Sequence, residues 1–579
     1  MTNKSERKNL GFVSKGAALR LAGCLWLCVL ALALAVSAIS SDRRALQVEE
    51  YAAHCDPFGY LQIAQDARQA VATTRLPNFS IESPHGRLLI ELMKSRGLPL
   101  NYWDDMVAPL CYHYSPRANH IGVQYPPGAG LMLAIFPQGE ALHRLDRVVT
   151  ALFLVTGLAI LLVAAGKRAW LSAGLLTLAL TIGLEMLARI DNASFSINAM
   201  FAPLLLTSLC LSAAFGLRAE TNKSFWVSWL LTFLAGLSFG FAILVRLQVS
   251  FLLPGLVVLL WPPRLRDWLK SGLLSFLAGV LIGGILPVII NQSRVTGAWY
   301  ESTYGIGNTD PPTLKSFWSN LHFYFDPGKA SQFNWALVVM VLACLGLFVW
   351  TRGNRGRKDP AAFLSLSWLR LVLAALFMWT IPTLYFLTHE VTGHHYPLAT
   401  IFLTSLMLAL GSLKLESDGG YGEVEETQAT SRHKRWPWQG LRVAGLLLAA
   451  VAGLFAISEA WSNYAPASAE RRPRQFSLPA DLVDERVWIW AGELSGSLWY
   501  YARKPAHKIN FSSDDARMIA YQFVQDRAEP QYIINDGPDM QRMLDEMVRF
   551  GATLERRGEV DGQPYFLIHW PTGGPLRKR

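Results

Sequence analysis

A succession of apolar runs separated by short basic clusters constrains this 579-residue chain more than any other feature. A run of ~20 apolar residues is enough to cross a ~30 Å hydrocarbon core. Windows of that kind fall near 17–39, 146–165, 169–187, 197–216, 226–246, 248–262, 269–289, 334–350, 367–387, 397–414 and 440–460. The clusters between them, Lys167-Arg168, Arg218 with Lys223, Arg264 to Lys270, Arg352 to Lys358 and Arg432 to Arg435, all fall on one side if every window spans. Lys4, Arg7, Lys8 and Lys15 put the N-terminus on that side, which the positive-inside rule makes cytoplasmic. The first run, Gly16 to Ser40, is longer than a signal-peptide core; it reads as an anchor despite the small residues Ala35 to Ala38. The shortest window, 248–262, holds Pro254 and is the one place where a broken or re-entrant helix is expected.

The expected fold is therefore mainly α: a polytopic transmembrane bundle of about 11 spans with a large first outward loop. A content of 52% hydrophobic and 17% charged residues agrees, and 20 tryptophans supply interfacial anchors. The net charge of +10 follows from the loop lysines and arginines and calls for no nucleic acid. Residues 1–464 form the membrane domain, with outward loops at 41–145 and 290–333. Residues 465–579 change in composition. There Val487 to Trp490, Tyr532 to Ile534 and Tyr565 to Trp570 read as strands, and Asp514 to Asp526 and Asp539 to Phe550 as amphipathic helices. An odd number of spans leaves this small α/β domain on the outer face. Trp488, Trp490, Trp499 and Tyr500 are read as its core rather than as a sugar platform.

Chemistry-bearing residues gather at the outward ends of the spans. Asp56 lies in His54 to Ala64, just beyond the first span, with Tyr60 one helical turn on. Asp66 is expected to point to water. Cys55 and Cys111 share the first outward loop, where oxidation is permitted; a disulfide between them stands beside the alternative of two reduced thiols. His54, Cys55, Cys111 and His113 have zinc-ligand chemistry without a finger's spacing, and a divalent metal is left open. Tyr125-Pro126-Pro127-Gly128 fixes an extended turn that releases the chain into a short apolar helix, Ala129 to Phe136. Asp191 lies in the next outward turn. Arg246 closes a long apolar run and faces either a polar cavity, the interface or Asp191. The loop from Asn291 through Gly297 to Tyr304 mixes aromatic and hydrogen-bonding groups. The last outward loop carries His389-Glu390 and His394-His395-Tyr396-Pro397, which lacks the spacing of a zinc-protease motif.

The order of these segments, Asp56 with Tyr60, Leu61 and Ala64, then Tyr125 to Gly128, then Asn291, Gly297 and Tyr304, then His394 to Pro397, resembles the GT-C class of membrane glycosyltransferases. That class contains the protein O-mannosyltransferases and the aminoarabinose transferase that modifies lipid A. Where it often has Arg-Tyr near the last segment, this chain has His395-Tyr396. The resemblance implies transfer of a sugar from a polyprenyl-phosphate donor to an envelope acceptor (lipid, glycan or protein) on the outer leaflet of a bacterial cytoplasmic membrane, with inversion. Asp56 is then the expected base. Arg246, His395 and Tyr396 are expected at the donor phosphate, and Tyr60, Tyr125, Asp191, Tyr304 and His394 around the substrates. A transporter or lipid flippase, and a non-catalytic scaffold for envelope assembly, are the competing readings. The former expects charged residues at mid-span rather than at the outward ends.

Overall fold

In hydrocarbon every backbone amide must be satisfied within its own segment, so apolar runs of this length become helices. The computed structural model describes residues 55–74, 77, 79–138, most of 141–155, 195–218, 225–262, 272–302, 314–325, 366–388 and 476–571 apart from 511. In chain order its first region holds α1 (Cys55–Thr73), β1 (Ser80–Ile81), α2 (Pro84–Ser95), β2 (Tyr112–Ser115), β3 (His120–Val123) and α3 (Gly128–Ala134). The apolar helices follow: α4 (Phe195–Arg218), α5 (Phe225–Val245), α6 (Leu253–Leu260), α7 (Leu273–Val295, with a π-helical turn at Leu281–Ile285), α8 (Leu314–Phe325) and α9 (Leu366–Thr388). Four of the eleven expected spans thus coincide with α4, α5, α7 and α9. The windows at 17–39, 169–187, 334–350, 397–414 and 440–460 lie outside the described residues.

α5 and α7 approach closely because their facing positions are glycines. A Cβ on Gly236 would lie 2.8 Å from the Phe276 carbonyl carbon, and one on Gly240 would lie 2.7 Å from the Gly284 nitrogen. Between helices in lipid, such small residues let backbones touch and maximise dispersion contact. Gly283 and Gly284 fall within the π turn of α7.

The 248–262 window is a broken element, as its short length suggests. α5 ends at Val245, Arg246 is extended (φ −150°, ψ 113°), and a 3-10 segment, Leu247–Leu252, leads into α6. Pro254 begins α6 rather than interrupting it; in the first helical turn proline removes no hydrogen bond. The 3-10 and α segments together rise only roughly 24 Å, short of a full crossing.

The C-terminal region contains β4 (Trp488–Ala491), α10 (Leu494–Ala502), β5 (His507–Lys508), α11 (Asp514–Asp526), β6 (Gln531–Ile534), α12 (Pro538–Arg549), β7 (Thr553–Val560) and β8 (Gln563–His569). Its five-stranded sheet runs β5-β4-β6-β8-β7, with β4 parallel to both β5 and β6 and the last two strands antiparallel. Ser513 caps α11 by accepting the Ala516 amide hydrogen. Asp561 and Gly562, both at positive φ, make the two-residue turn that joins β7 to β8.

Trp488, Trp490 and Trp499 are buried, as expected of core residues, while Tyr500 is half-buried against Phe58. Their core is not confined to the C-terminal region. Trp488, Trp490 and Trp499 belong to one apolar cluster with Tyr60, Ile63 and Leu89 from the first region. His85 stacks on Trp488 at 4.1 Å, the Leu110 amide donates to Ser495 Oγ at 2.9 Å, and the Ser513 amide donates to the Tyr102 carbonyl at 2.9 Å.

Candidate functional site

α1 begins at Cys55, so Asp56 lies in its first turn; for Cys55, Asp56 and Pro57 the structure describes the backbone alone. The next turn is fully defined. Gly59 lets the Tyr125 ring approach the helix closely, where a Cβ would come within 2.5 Å of Tyr125 Cδ2. Tyr60, wholly buried, pairs with the same ring at a centroid separation of 4.8 Å. One turn later Ile63 fills the space left by Gly130, where a Cβ would lie 2.5 Å from Ile63 Cβ. Arg68 reaches across to the far end of α3, donating to the carbonyls of Leu133 (2.9 Å), Ala134 (3.2 Å) and Phe136 (2.7 Å). A cation on these carbonyls complements the negative end of the helix.

The Tyr125 to Gly128 segment joins α1 to the membrane helices. Gly128 meets the last residues of α5, and a Cβ there would lie 2.5 Å from the Leu244 carbonyl carbon and 2.7 Å from its oxygen. Arg246 follows immediately and is 7% exposed. β3 and β2 dock on the end of α7, with Ser115 Oγ donating to the Thr296 carbonyl at 2.8 Å. The first turn of α1, the Tyr60–Tyr125 pair, Gly128 and Arg246 are therefore contiguous. Asp191, Tyr304, His394, His395 and Tyr396 lie outside the described residues.

Asp66 does not point to water. Gln62 Nε2 donates to its Oδ1 at 2.7 Å, its Oδ2 is buried with no hydrogen-bond partner, and burial pushes its carboxyl up to about 6. The Gln62 hydrogen bond and the Arg503 charge pull in the opposite direction without overcoming burial. Sequence reasoning missed this because the covering residue comes from the C-terminal region: Arg503 Nη1 donates to Gln62 Oε1 at 2.7 Å.

Cys111 is disulfide-bonded, which removes it as a thiolate ligand for the zinc arrangement considered above. Cys210 is a free thiol in α4. His113 is buried with Nδ1 3.9 Å from Asp105 Oδ1, and burial lowers its basicity. Among the described residues no three His, Cys, Asp or Glu side chains come together as a metal site.

Two acids outside the motifs are also perturbed. Asp104, 3% exposed, is raised to about 6 by burial and then by its neighbour Asp105. Asp536 is raised to about 6 by burial although it accepts the amide hydrogens of Gly492 (3.1 Å) and Leu494 (2.6 Å). Its place at the start of α10 is that of a cap supplied from another element.

No protein-family model and no curated protein matches the chain. Among solved structures it is similar to ArnT from Cupriavidus metallidurans bound to undecaprenyl phosphate, at 14% identity and a TM-score of 0.42 over 93% of this chain and 97% of that one. It is also similar to the oligosaccharyltransferase of Archaeoglobus fulgidus tethered to an acceptor peptide, at 12% identity and a TM-score of 0.40 over 88% of this chain and 69% of that one.

Proposed function

We propose that the chain is a membrane glycosyltransferase that moves a sugar from a polyprenyl-phosphate donor to an envelope acceptor at the outer face of a bacterial cytoplasmic membrane. The observation that carries this reading is the convergence of three segments far apart in sequence: the first turn of α1, the Tyr125 to Gly128 turn, and the joint at Arg246. A transferase working on a lipid-linked donor needs a base and a phosphate-facing cation at the end of the spans, within reach of a carrier lying in the bilayer. A transporter would place its charges at mid-span.

In this reading Asp56 takes the proton of the acceptor hydroxyl as its oxygen attacks the anomeric carbon. The carbon–oxygen bond to phosphate breaks with its electron pair leaving on phosphate, and configuration inverts. The departing polyprenyl phosphate, a phosphate monoester, is a far better leaving group than a sugar alkoxide, so no acid is needed beside the base, unlike glycoside hydrolysis. Arg246, with His395 and Tyr396, stabilises the departing charge, where a fixed cation in a dry site acts most strongly. Tyr60, Tyr125, Asp191, Tyr304 and His394 orient the substrates. The Cys55–Cys111 bridge pins the start of α1 to β2, and residues 465–579 form an outward domain on the membrane part, 1–464.

The test is mass spectrometry of envelope lipids, glycans and proteins from cells carrying the wild-type chain, a deletion, or Asp56→Asn at matched membrane levels. Loss of one sugar from the same product in both mutants is expected. Full modification with Asp56→Asn would sink the single-base mechanism.

A further inference from the structure

α1 is gripped on two faces. Gly59, Tyr60 and Ile63 meet the Tyr125 turn and α3, and Phe58, Gln62, Gln65 and Asp66 lie on the other face at the i, i+4, i+7, i+8 spacing of one helical stripe. This second face belongs to α10 of the C-terminal region. Phe58 packs against Tyr500 (6.0 Å) and Tyr501 (5.8 Å). Gly496 leaves room for the contact, since a Cβ there would lie 3.3 Å from Phe58 Cδ2 and 3.1 Å from the Leu110 carbonyl oxygen.

Arg503 closes the contact. Its guanidinium donates through Nη1 to Gln62 Oε1 (2.7 Å) and through Nη2 to Gln65 Oε1, bridging two side chains one turn apart on α1. It is steadied by the Trp499 ring, whose centroid is 6.0 Å away. Only arginine offers a rigid planar fork for two such acceptors. Arg503 also occupies the left-handed C-cap position of α10 (φ 52°), where glycine or asparagine is the usual residue because a Cβ is penalised. A bulky residue kept in a disfavoured backbone state points to a use for its side chain.

We propose that Arg503 is a positioning residue for α1, so that the C-terminal α/β region sets the orientation of the helix turn that carries Asp56. The consequence for transfer rests on the reading of Asp56 as base. The consequence for α1 does not.

The experiment uses the full chain in lipid nanodiscs. Amide hydrogen exchange is measured over residues 55–66, 225–245 and 514–526, alongside envelope product in cells at matched levels. Arg503→Met keeps the aliphatic stem. It is expected to speed exchange in 55–66 by about 10-fold while leaving 225–245 and 514–526 at wild-type rates, and to lower product; Arg503→Lys is expected to recover part of both. Should Arg503→Met fail to accumulate, the pair Gln62→Leu and Gln65→Leu removes the same bridge from the α1 side, with the same local loosening expected. Wild-type exchange in 55–66 overturns the proposal. So does acceleration spread equally over 514–526, which marks a general stabiliser of the C-terminal region. If Asp56→Asn retains full product, the base assignment falls while local loosening in 55–66 still supports Arg503 as the residue that positions α1.

Discussion

Replacing Gly128 with alanine sets a single methyl group against the part of the fold that brings the proposed site together. The new Cβ would stand 2.5 Å from the Leu244 carbonyl carbon and 2.7 Å from its oxygen, both backbone atoms that cannot rotate away. Relief to an ordinary contact of 3.5 Å or more requires α3 and the end of α5 to separate by about 1 Å. Overpacking of this kind costs ~1–3 kcal/mol. The separation acts directly on the distance between the Tyr125 turn and Arg246, and a displacement near 1 Å in a reacting geometry lowers rate by about 100-fold. Gly128→Ala is therefore expected to insert normally, to melt below wild type in nanodiscs, and to make roughly one-hundredth of the envelope product. Gly537→Ala is the control: nothing lies within 4 Å of its Cβ position, and its backbone is extended. Wild-type product and melting for Gly128→Ala would refute the claim that close approach at this glycine fixes the site.

Burial lifts the Asp104 carboxyl from an ordinary 3.8 to about 6, with Asp105 adding to the shift and Lys508 opposing it. The folded chain therefore holds more protons than the unfolded chain between these values, and stability falls as pH rises through that window. Asp104→Asn should then melt above wild type at about pH 7.5 and close to it at about pH 4, and equal differences at both values would count against this origin. In the C-terminal region Arg517 donates to both Glu546 oxygens, at 3.0 and 2.8 Å, in a nearly buried pair. Glu546→Leu alone should cost ~1–3 kcal/mol, because the buried guanidinium loses two acceptors but keeps the Asp514 carboxylate (2.6 Å) and the Ser512 carbonyl, and Arg517→Met with Glu546→Leu should cost less than the two single changes summed. Thermal unfolding followed by proteolysis of 476–571 reads both.

Elements whose burial is decided by their own sequence were legible. α11 announces itself through the Ser513 cap, two aspartates in the first turn and a regular apolar stripe, and its observed bounds are those expected from the sequence. β7 was missed because Thr553 to Val560 carries four charged residues in succession or near it, as edge strands do; the Asp561-Gly562 turn was the available signal. β2 was hidden for the opposite reason. Tyr112 to Ser115 are buried on both faces, so no alternation marks the strand. At the site, the sequence supplied Tyr60, Tyr125, Gly128 and Arg246 as separate candidates but not their contacts. Asp66 was misread as solvent-facing since its environment includes Arg503, which meets Gln62 across a separation of 441 residues. No local pattern encodes a partner so distant.

That long separation bears on how the molecule is made. Met106 and His507 are joined through the His507 ring and stand 401 residues apart. At ~5–20 residues per second, roughly 20–80 s pass between synthesis of the two halves of this shared core. Throughout that interval Trp103, Met106 and the buried face of α2 have no C-terminal partner, while the intervening apolar segments are still being handed to the bilayer. The first region is thus an obligate waiting state, exposed to misassembly until the last hundred or so residues have been made. A chain truncated before α10 would carry every apolar window of the sequence and an unfinished first region, a defect visible to proteases rather than to the insertion machinery.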